Sequence, residues 1–409
     1  MCGGWMNDDE VPDPPRKHRT MFDPNLVDLA TLRQRAYNLR WATVPEGVIP
    51  LTAADPDFPC APAIADAIGR YVGGRYFSYG PPEGLPAFKE SLAIYFRDKR
   101  NIPAIPEWVL PVDSAAYGIY LTCKTFLAPG DEAIIFDPVD FLFRYSIEAV
   151  MARAVPFAIP PGPLLVDFDR LEKLITKKTR MICLCNPLNP TGKVFTRTEL
   201  IRLGEIACKY DLLILSDEIW SDIVYQPNAF TSIASLGGQI TDRTVTVTGF
   251  SKSYGLAGLR IGAVMASDRS LYQRLFNASL HKSTIHGANT IAQVAATAAL
   301  TECGEWLKEF VGHLQAMRDL CVARLNAVPG FVCIPPEGCY VAFVNITGTG
   351  RTAAEIQELL FTEARVAVVP GLKEWFGEGA DGYIRLSYAT SEKILSNALD
   401  RINTTILPL

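Results

Sequence analysis

Residues 196–218 read Thr196-Arg197-Thr198-Glu199-Leu200-Ile201-Arg202-Leu203-Gly204-Glu205-Ile206-Ala207-Cys208-Lys209-Tyr210-Asp211-Leu212-Leu213-Ile214-Leu215-Ser216-Asp217-Glu218. Thr196 and Glu199 form a T-x-x-E capping box, which predicts a helix start. Leu200, Leu203, Ile206, Ala207 and Tyr210 follow at helical spacing and give one apolar face. Leu212 to Leu215 then reads as a buried strand that ends in Ser216-Asp217-Glu218. Further out, the pattern repeats. Between about residues 60 and 280, helical stretches alternate with the apolar runs Ile134-Ile135-Phe136, Met181 to Cys185 and Thr244 to Val247. Such alternation predicts an α/β fold with a mostly parallel, buried sheet. Polar residues at the carboxyl end of a parallel strand stand where such folds place ligands, so Asp217 is a candidate site residue.

The 409 residues exceed one ordinary core. The expected division is an N-terminal arm over 1–45, a large domain over 46–288 and a smaller α+β domain over 289–409. The first 25 residues are rich in charge and proline and predict a loose arm. In the last part, Ile291 to Leu300 and about 304 to 326 read as helices. Residues Tyr340 to Asn345 and Tyr383 to Ser387 read as strands. A net charge of −5 argues against a nucleic-acid partner. No run of eighteen apolar residues predicts a membrane span. Met1 to Pro15 is acidic and Pro-rich without an apolar core, so no signal peptide is expected. Ten cysteines without a C-x-x-C pair suggest no metal site and a reducing compartment, the cytoplasm.

Thr248-Gly249-Phe250-Ser251-Lys252-Ser253-Tyr254-Gly255-Leu256-Ala257-Gly258-Leu259-Arg260-Ile261-Gly262 places a lysine just after an apolar strand. A lysine that forms a Schiff base must lose its proton readily, and burial lowers its pKa. The surrounding hydroxyls and Arg260 suit a phosphate dianion. Asn186-Pro187-Leu188-Asn189-Pro190-Thr191-Gly192 is a rigid turn after another strand. Asp217 follows Asn189 by 28 residues. If buried, its carboxylate needs a cationic partner. An ordinary turn and a helix cap would explain Asn189 and Asp217 singly; the three segments in this order are not so explained.

In these segments the chain resembles fold-type I pyridoxal-phosphate (PLP) enzymes of the class I/II aminotransferase superfamily, from about residue 45 to 400. The resemblance implies a large domain with a mostly parallel sheet, a smaller C-terminal domain, and pyridoxal 5′-phosphate as cofactor. It implies that Lys252 forms the Schiff base with PLP and that Asp217 pairs with the pyridine nitrogen. It assigns Asn189 to the ring's 3-oxygen, with a share in substrate binding. Ser251, Arg260 and the turn Ser114-Ala115-Ala116 would hold the phosphate. Tyr79, in Tyr76-Phe77-Ser78-Tyr79-Gly80, matches a tyrosine that reaches the phosphate of a neighbouring subunit, which implies a homodimer with shared sites. Arg385, in Tyr383-Ile384-Arg385-Leu386-Ser387, matches the arginine that grips the substrate α-carboxylate. Ala54 falls among the substrate-binding positions.

Two positions depart from the family pattern. Asp217-Glu218-Ile219-Trp220 stands where D-x-x-Y is usual, so Trp220 takes the place of a tyrosine at the ring oxygen. Pro138-Val139-Asp140-Phe141 puts aspartate where an aromatic usually stacks on the ring, leaving Phe141 as the candidate for that contact. Ile49 to Phe58, with Trp41, resembles cystathionine β-lyase-like C–S lyases of the same superfamily. The leading expectation is an aminotransferase acting on an α-amino acid. The alternatives are a β-eliminating C–S lyase on a cysteine conjugate, a decarboxylating or oxidising relative, and a non-catalytic PLP-binding module. Ser279-Leu280-His281-Lys282 fits S-x-x-K but lacks its companion motifs. His281 and His286 lack a carboxylate at metal-ligand spacing and could line the site entrance.

Overall fold

The computed structural model describes Phe22, residues 26–159 and residues 165–406. The expected loose arm over residues 1–25 therefore lies, apart from Phe22, outside the described residues. Phe22 itself is buried against Phe58, Trp306 and Phe310.

The described strands are β1 (Ile49–Pro50), β2 (Val109–Val112), β3 (Glu132–Asp137), β4 (Arg153–Ala158), β5 (Thr179–Cys185), β6 (Leu213–Asp217), β7 (Thr244–Gly249), β8 (Gly262–Met265), β9 (Val332–Cys333), β10 (Val341–Asn345), β11 (Val366–Ala367), β12 (Val369–Pro370) and β13 (Tyr383–Ser387). Seven of them form one sheet in the order β2-β8-β7-β6-β5-β3-β4. The neighbours from β7 to β4 are parallel, and β8 runs antiparallel to both β7 and β2. The fold is α/β, as the alternation of helical and apolar runs predicts. Strands β3, β5, β6 and β7 are buried almost throughout. That requires helices on both faces and accounts for their unbroken apolar runs.

The helix Arg197–Lys209 that feeds β6 begins with the predicted capping box, in which Thr196 and Glu199 satisfy each other's backbone N–H groups. Leu200, Leu203, Ile206 and Ala207 form its buried stripe. A second sheet, antiparallel, has the order β12-β13-β10-β9. The Ala-rich helix Thr290–Glu302 packs on the helices Pro62–Gly73 and Pro86–Arg100. The short strand β1 pairs in parallel with β11 and thereby brings residues 52–54 between the two sheets.

Because β5, β6 and β7 are parallel and in register, with Cys185 opposite Asp217 and Asp217 opposite Val247, their carboxyl ends share one edge. Gly262 opens β8 at that same edge, opposite Gly249 and Val112. Gly262 has no room for a side chain: a Cβ there would come within 2.7 Å of the Ala115 nitrogen and 2.8 Å of the Thr248 oxygen. These are backbone atoms, so the strain cannot be relieved by a rotamer. Gly262→Ala is expected to cost about 2 kcal/mol of stability by overpacking, read as a lower denaturant midpoint. An unchanged midpoint would mean that the Ser114–Ala116 turn is not wedged against β8.

Candidate active site

A cavity of about 420 Å³ opens at the shared carboxyl edge. Of the sequence-derived candidates, Ala54, Ser114, Ala115, Ala116, Phe141, Asn189, Asp217, Trp220, Ser251, Lys252, Arg260 and Arg385 all line it. Tyr79 does not. It is 87% exposed and packs against the ring of His286. His281 and His286 are not among the residues that line this cavity.

The floor is the sheet edge. Ser114 caps the helix Ala115–Phe126, its hydroxyl accepting from the Tyr117 N–H. Ser114, Ala115 and Ala116 line the cavity, so the positive end of that helix's dipole borders it. Lys252 follows β7, and its Nζ donates to the carbonyl of Ala54 at 2.7 Å. Nζ also sits 5.3 Å from the centre of the Trp220 ring. Burial pushes the lysine pKa down, while Asp55 and Asp140 pull it back up. The neutral amine is thus more accessible here than at a surface lysine.

Asp217 is buried, and among the described residues only the Ile219 N–H donates to its Oδ1, at 3.1 Å. Burial raises its pKa to about 7, with Asp140 and Glu218 adding to the effect and Lys252 opposing it. The cationic partner expected from the sequence is not a side chain in hydrogen-bonding reach among the described residues; Lys252 acts on Asp217 only through space. Neighbouring Glu218 is also buried and pushed up to about 7, although the hydroxyls of Ser216 and Ser232 donate to it.

Opposite the sheet edge stands Arg385, in the middle of β13. Its Nη1 donates to Asn189 Oδ1 at 3.1 Å and its Nη2 to the Thr52 carbonyl at 3.2 Å. Its Nε is buried without a partner. The Phe376 ring lies 5.0 Å beneath the guanidinium. Asn189 Nδ2 in turn donates to Asp140 Oδ2 at 2.9 Å. Phe141 meets Trp375 edge to face at 5.7 Å.

Several contributors escaped the sequence. The Thr52 carbonyl acts through a backbone atom that any residue could supply, and Ala54, though named as a substrate-binding position, contributes its carbonyl to Lys252 instead. Tyr340, whose hydroxyl also donates to the Ala54 carbonyl, packs its ring on Trp220 at 4.7 Å. Asn38 and Leu39 line the cavity from a stretch without periodicity. Asp140 stood out in the sequence only as a missing aromatic.

The residues present fit PLP. A buried carboxylate with a raised pKa suits a protonated ring nitrogen. A helix N-terminus, Ser251 and Arg260 supply phosphate donors. Lys252 supplies an amine of lowered basicity. These features suit an enzyme that would hold a phosphorylated pyridine aldehyde in a cavity that Arg385 also lines.

The chain matches the family described as aminotransferase class I and II over residues 46–402. It is 32% identical to an aspartate aminotransferase of Pyrococcus abyssi, over 88% of this chain and 92% of that protein. It is 28% identical to the cystathionine beta-lyase PatB of Bacillus subtilis, over 88% and 92%. Among solved structures it resembles an aromatic aminotransferase from Pyrococcus horikoshii, with a TM-score of 0.83, 30% identity and coverage of 89% and 97%. The chain belongs to the aminotransferase class I and II family. It is a PLP-dependent aminotransferase of fold type I that acts on amino acids.

Asp217 links the site to stability. In an unfolded chain its carboxyl titrates near 3.8, and in the folded protein near 7. Between these values the unfolded chain releases a proton that the folded chain keeps. Stability is therefore lost as pH rises from about 4 to 7, and the full penalty, on the order of 4 kcal/mol, stands above pH 7. In the cofactor-free protein, Asp217→Asn is expected to raise the melting temperature more at pH 8 than at pH 5. Equal shifts at the two pH values would show that burial does not hold the proton.

Proposed function

We propose that the residues gathered here carry out transamination of an α-amino acid, with Lys252 and Asp217 as the catalytic pair. The observation that carries this is the placement of Arg385, from the second sheet, across one cavity from Lys252 and Asp217. Bound PLP supplies an aldehyde that captures the substrate amine and a ring that accepts electron density from the α-carbon. Asp217, negative beside the ring nitrogen, keeps that nitrogen protonated. Asn189 donates to the ring oxygen and, through Oδ1, orients Arg385. Ser114, Ala115, Ala116, Ser251 and Arg260 bind the phosphate. Phe141 and Trp220 wall the ring. Arg385 holds the substrate carboxylate in bidentate fashion, with the carbonyl side of Ala54 bordering the substrate. With PLP bound, Lys252 Nζ would take the proton from the substrate α-carbon and deliver it to the cofactor's C4′, the transfer that turns amino acid into keto acid.

Tyr79 acts from a second copy of the chain, in a homodimer with shared sites. Its exposure, with Tyr76 and Phe77 exposed beside it, supports this. The protein works in the cytoplasm, in keeping with described cysteines that are all free. Among the described residues no helix is long and apolar enough to cross a membrane. The two separate sheets support a large and a small domain. The packing of helix Thr290–Glu302 on the first part favours a boundary after that helix rather than before it.

Lys252→Ala is expected to abolish turnover and covalent attachment of PLP, read as release of the cofactor on gel filtration. Arg385→Lys keeps the charge but loses the fork, and is expected to lower kcat/KM about 100-fold, mainly through KM. Full activity in either variant overturns these roles. Tyr79→Phe is expected to weaken PLP affinity several-fold without altering the dimer. An unchanged affinity removes Tyr79 from the site.

A second reading, β-elimination from a cysteine conjugate, is favoured by Trp220, which covers Lys252 with an indole in place of a phenol. The likeness to PatB supports it too. Pyruvate and ammonia accumulating from a cysteine conjugate without an amino acceptor would establish it. Stoichiometric conversion of the bound cofactor to its amine form, with release of a keto acid, establishes transamination.

A further inference from the structure

We propose that Asp140 makes this site select amino acids with a single carboxylate and an apolar or aromatic side chain, and reject dicarboxylic ones. The inference rests on the reading of Arg385 as the grip for the α-carboxylate. The cations that line the cavity are Lys252, Arg260 and Arg385. Lys252 and Arg260 belong to the cofactor end, on the segment after β7. Arg385 is used by the first carboxylate. A second carboxylate on the substrate finds no further lining cation among the described residues. It finds Asp140 instead.

Asp140 is held in place. Its Oδ1 accepts from the Leu142 N–H at 3.2 Å, and its own N–H donates to the Asn189 carbonyl at 3.1 Å. Its Oδ2 accepts from Asn189 Nδ2 at 2.9 Å, and Asn189 Oδ1 accepts from Arg385 Nη1 at 3.1 Å. One amide thus separates this anion from the guanidinium, and Asp140 cannot swing away when a ligand arrives. Burial raises the Asp140 pKa, and the positive charges of Arg385 and Lys252, with the Leu142 and Asn189 hydrogen bonds, oppose that shift.

Beside Asn38 and Asn189, apolar residues form much of the wall near Arg385. Phe376 lies under the guanidinium, Phe141 and Trp375 meet edge to face, and Val369 and Leu39 complete the wall. Such a wall rewards an aromatic or aliphatic side chain. The plainer account, that Asp140 only ties its own turn through the Leu142 N–H, predicts no effect on ligand choice.

The test is equilibrium binding to the PLP-loaded protein, by calorimetry, of two acids that lack the reacting amine: 3-phenylpropionate, with one carboxylate, and succinate, with two. Wild-type protein is expected to bind 3-phenylpropionate at least tenfold more tightly. Asp140→Asn keeps an acceptor for the Leu142 N–H and removes the charge. It is expected to improve succinate binding about tenfold, the scale of one like-charge contact in a partly buried site, and to leave 3-phenylpropionate within about twofold. Asp140→Ser serves if the asparagine variant loses its native melting transition. Succinate binding as tightly as 3-phenylpropionate in wild type, no measurable binding of 3-phenylpropionate, or a ratio unchanged in both variants overturns the proposal. Arg385→Gln separates the two levels. If it abolishes binding of both acids while succinate remains favoured in wild type, Asp140 is wrong and the Arg385 reading stands. If both acids still bind without Arg385, the Arg385 reading itself has failed.

Discussion

A carboxylate at the end of a central parallel strand is shielded from water by the strands on either side. Asp217 is in that position, between Cys185 and Val247, and only one backbone N–H satisfies it. Burial raises its pKa to about 7, so near pH 7 the carboxyl is only about half ionised. A positively charged ring nitrogen, were PLP held beside it, would reverse the balance, because it would stabilise only the ionised form. The strand register that buries Asp217 also sets Lys252 and the Ser114 turn at the same edge. The demand of one buried charge and the placement of the groups that hold its partner therefore have a single structural cause.

The same register explains why so much was readable from the chain. The capping box at Thr196, the stripe through Ala207 and the apolar run into Asp217 are local signals, and each agrees with the packed structure. Parallel strands buried on both faces leave long apolar runs, so β3, β5 and β7 were visible too. The cavity residues on this edge follow directly after those strands, which ties them to landmarks a sequence contains.

The opposite wall was less legible. Thr52 and Ala54 contribute carbonyls, which carry no side-chain signature. They reach the site only because β1 pairs with β11 more than 300 residues away in the chain, a contact no local pattern encodes. Arg385 lies on a strand whose tripeptide alone suggests a surface position; only the second sheet's placement turns it inward. Tyr79 faces solvent, where the sequence likeness gives it a role that a single chain cannot display. The Asp140 carboxylate could be noticed as an anomaly, but its bond to Asn189 required the turn after β5 and the turn after β3 to be seen together.

The two departures from the family pattern sit on different sides of the reacting lysine, and they act in different ways. Trp220 has no acceptor, so it places an indole face over Lys252 Nζ where a phenol would have offered an oxygen. Its bulk is supported from behind by Tyr340, which also shares the Ala54 carbonyl with Lys252. The ring and the carbonyl thus confine the amine between them. Asp140 removes an aromatic surface and adds a charge tied to the substrate-binding arginine. Both departures bear on Lys252, Trp220 by covering its Nζ and Asp140 by its charge acting through space, so the lysine joins them.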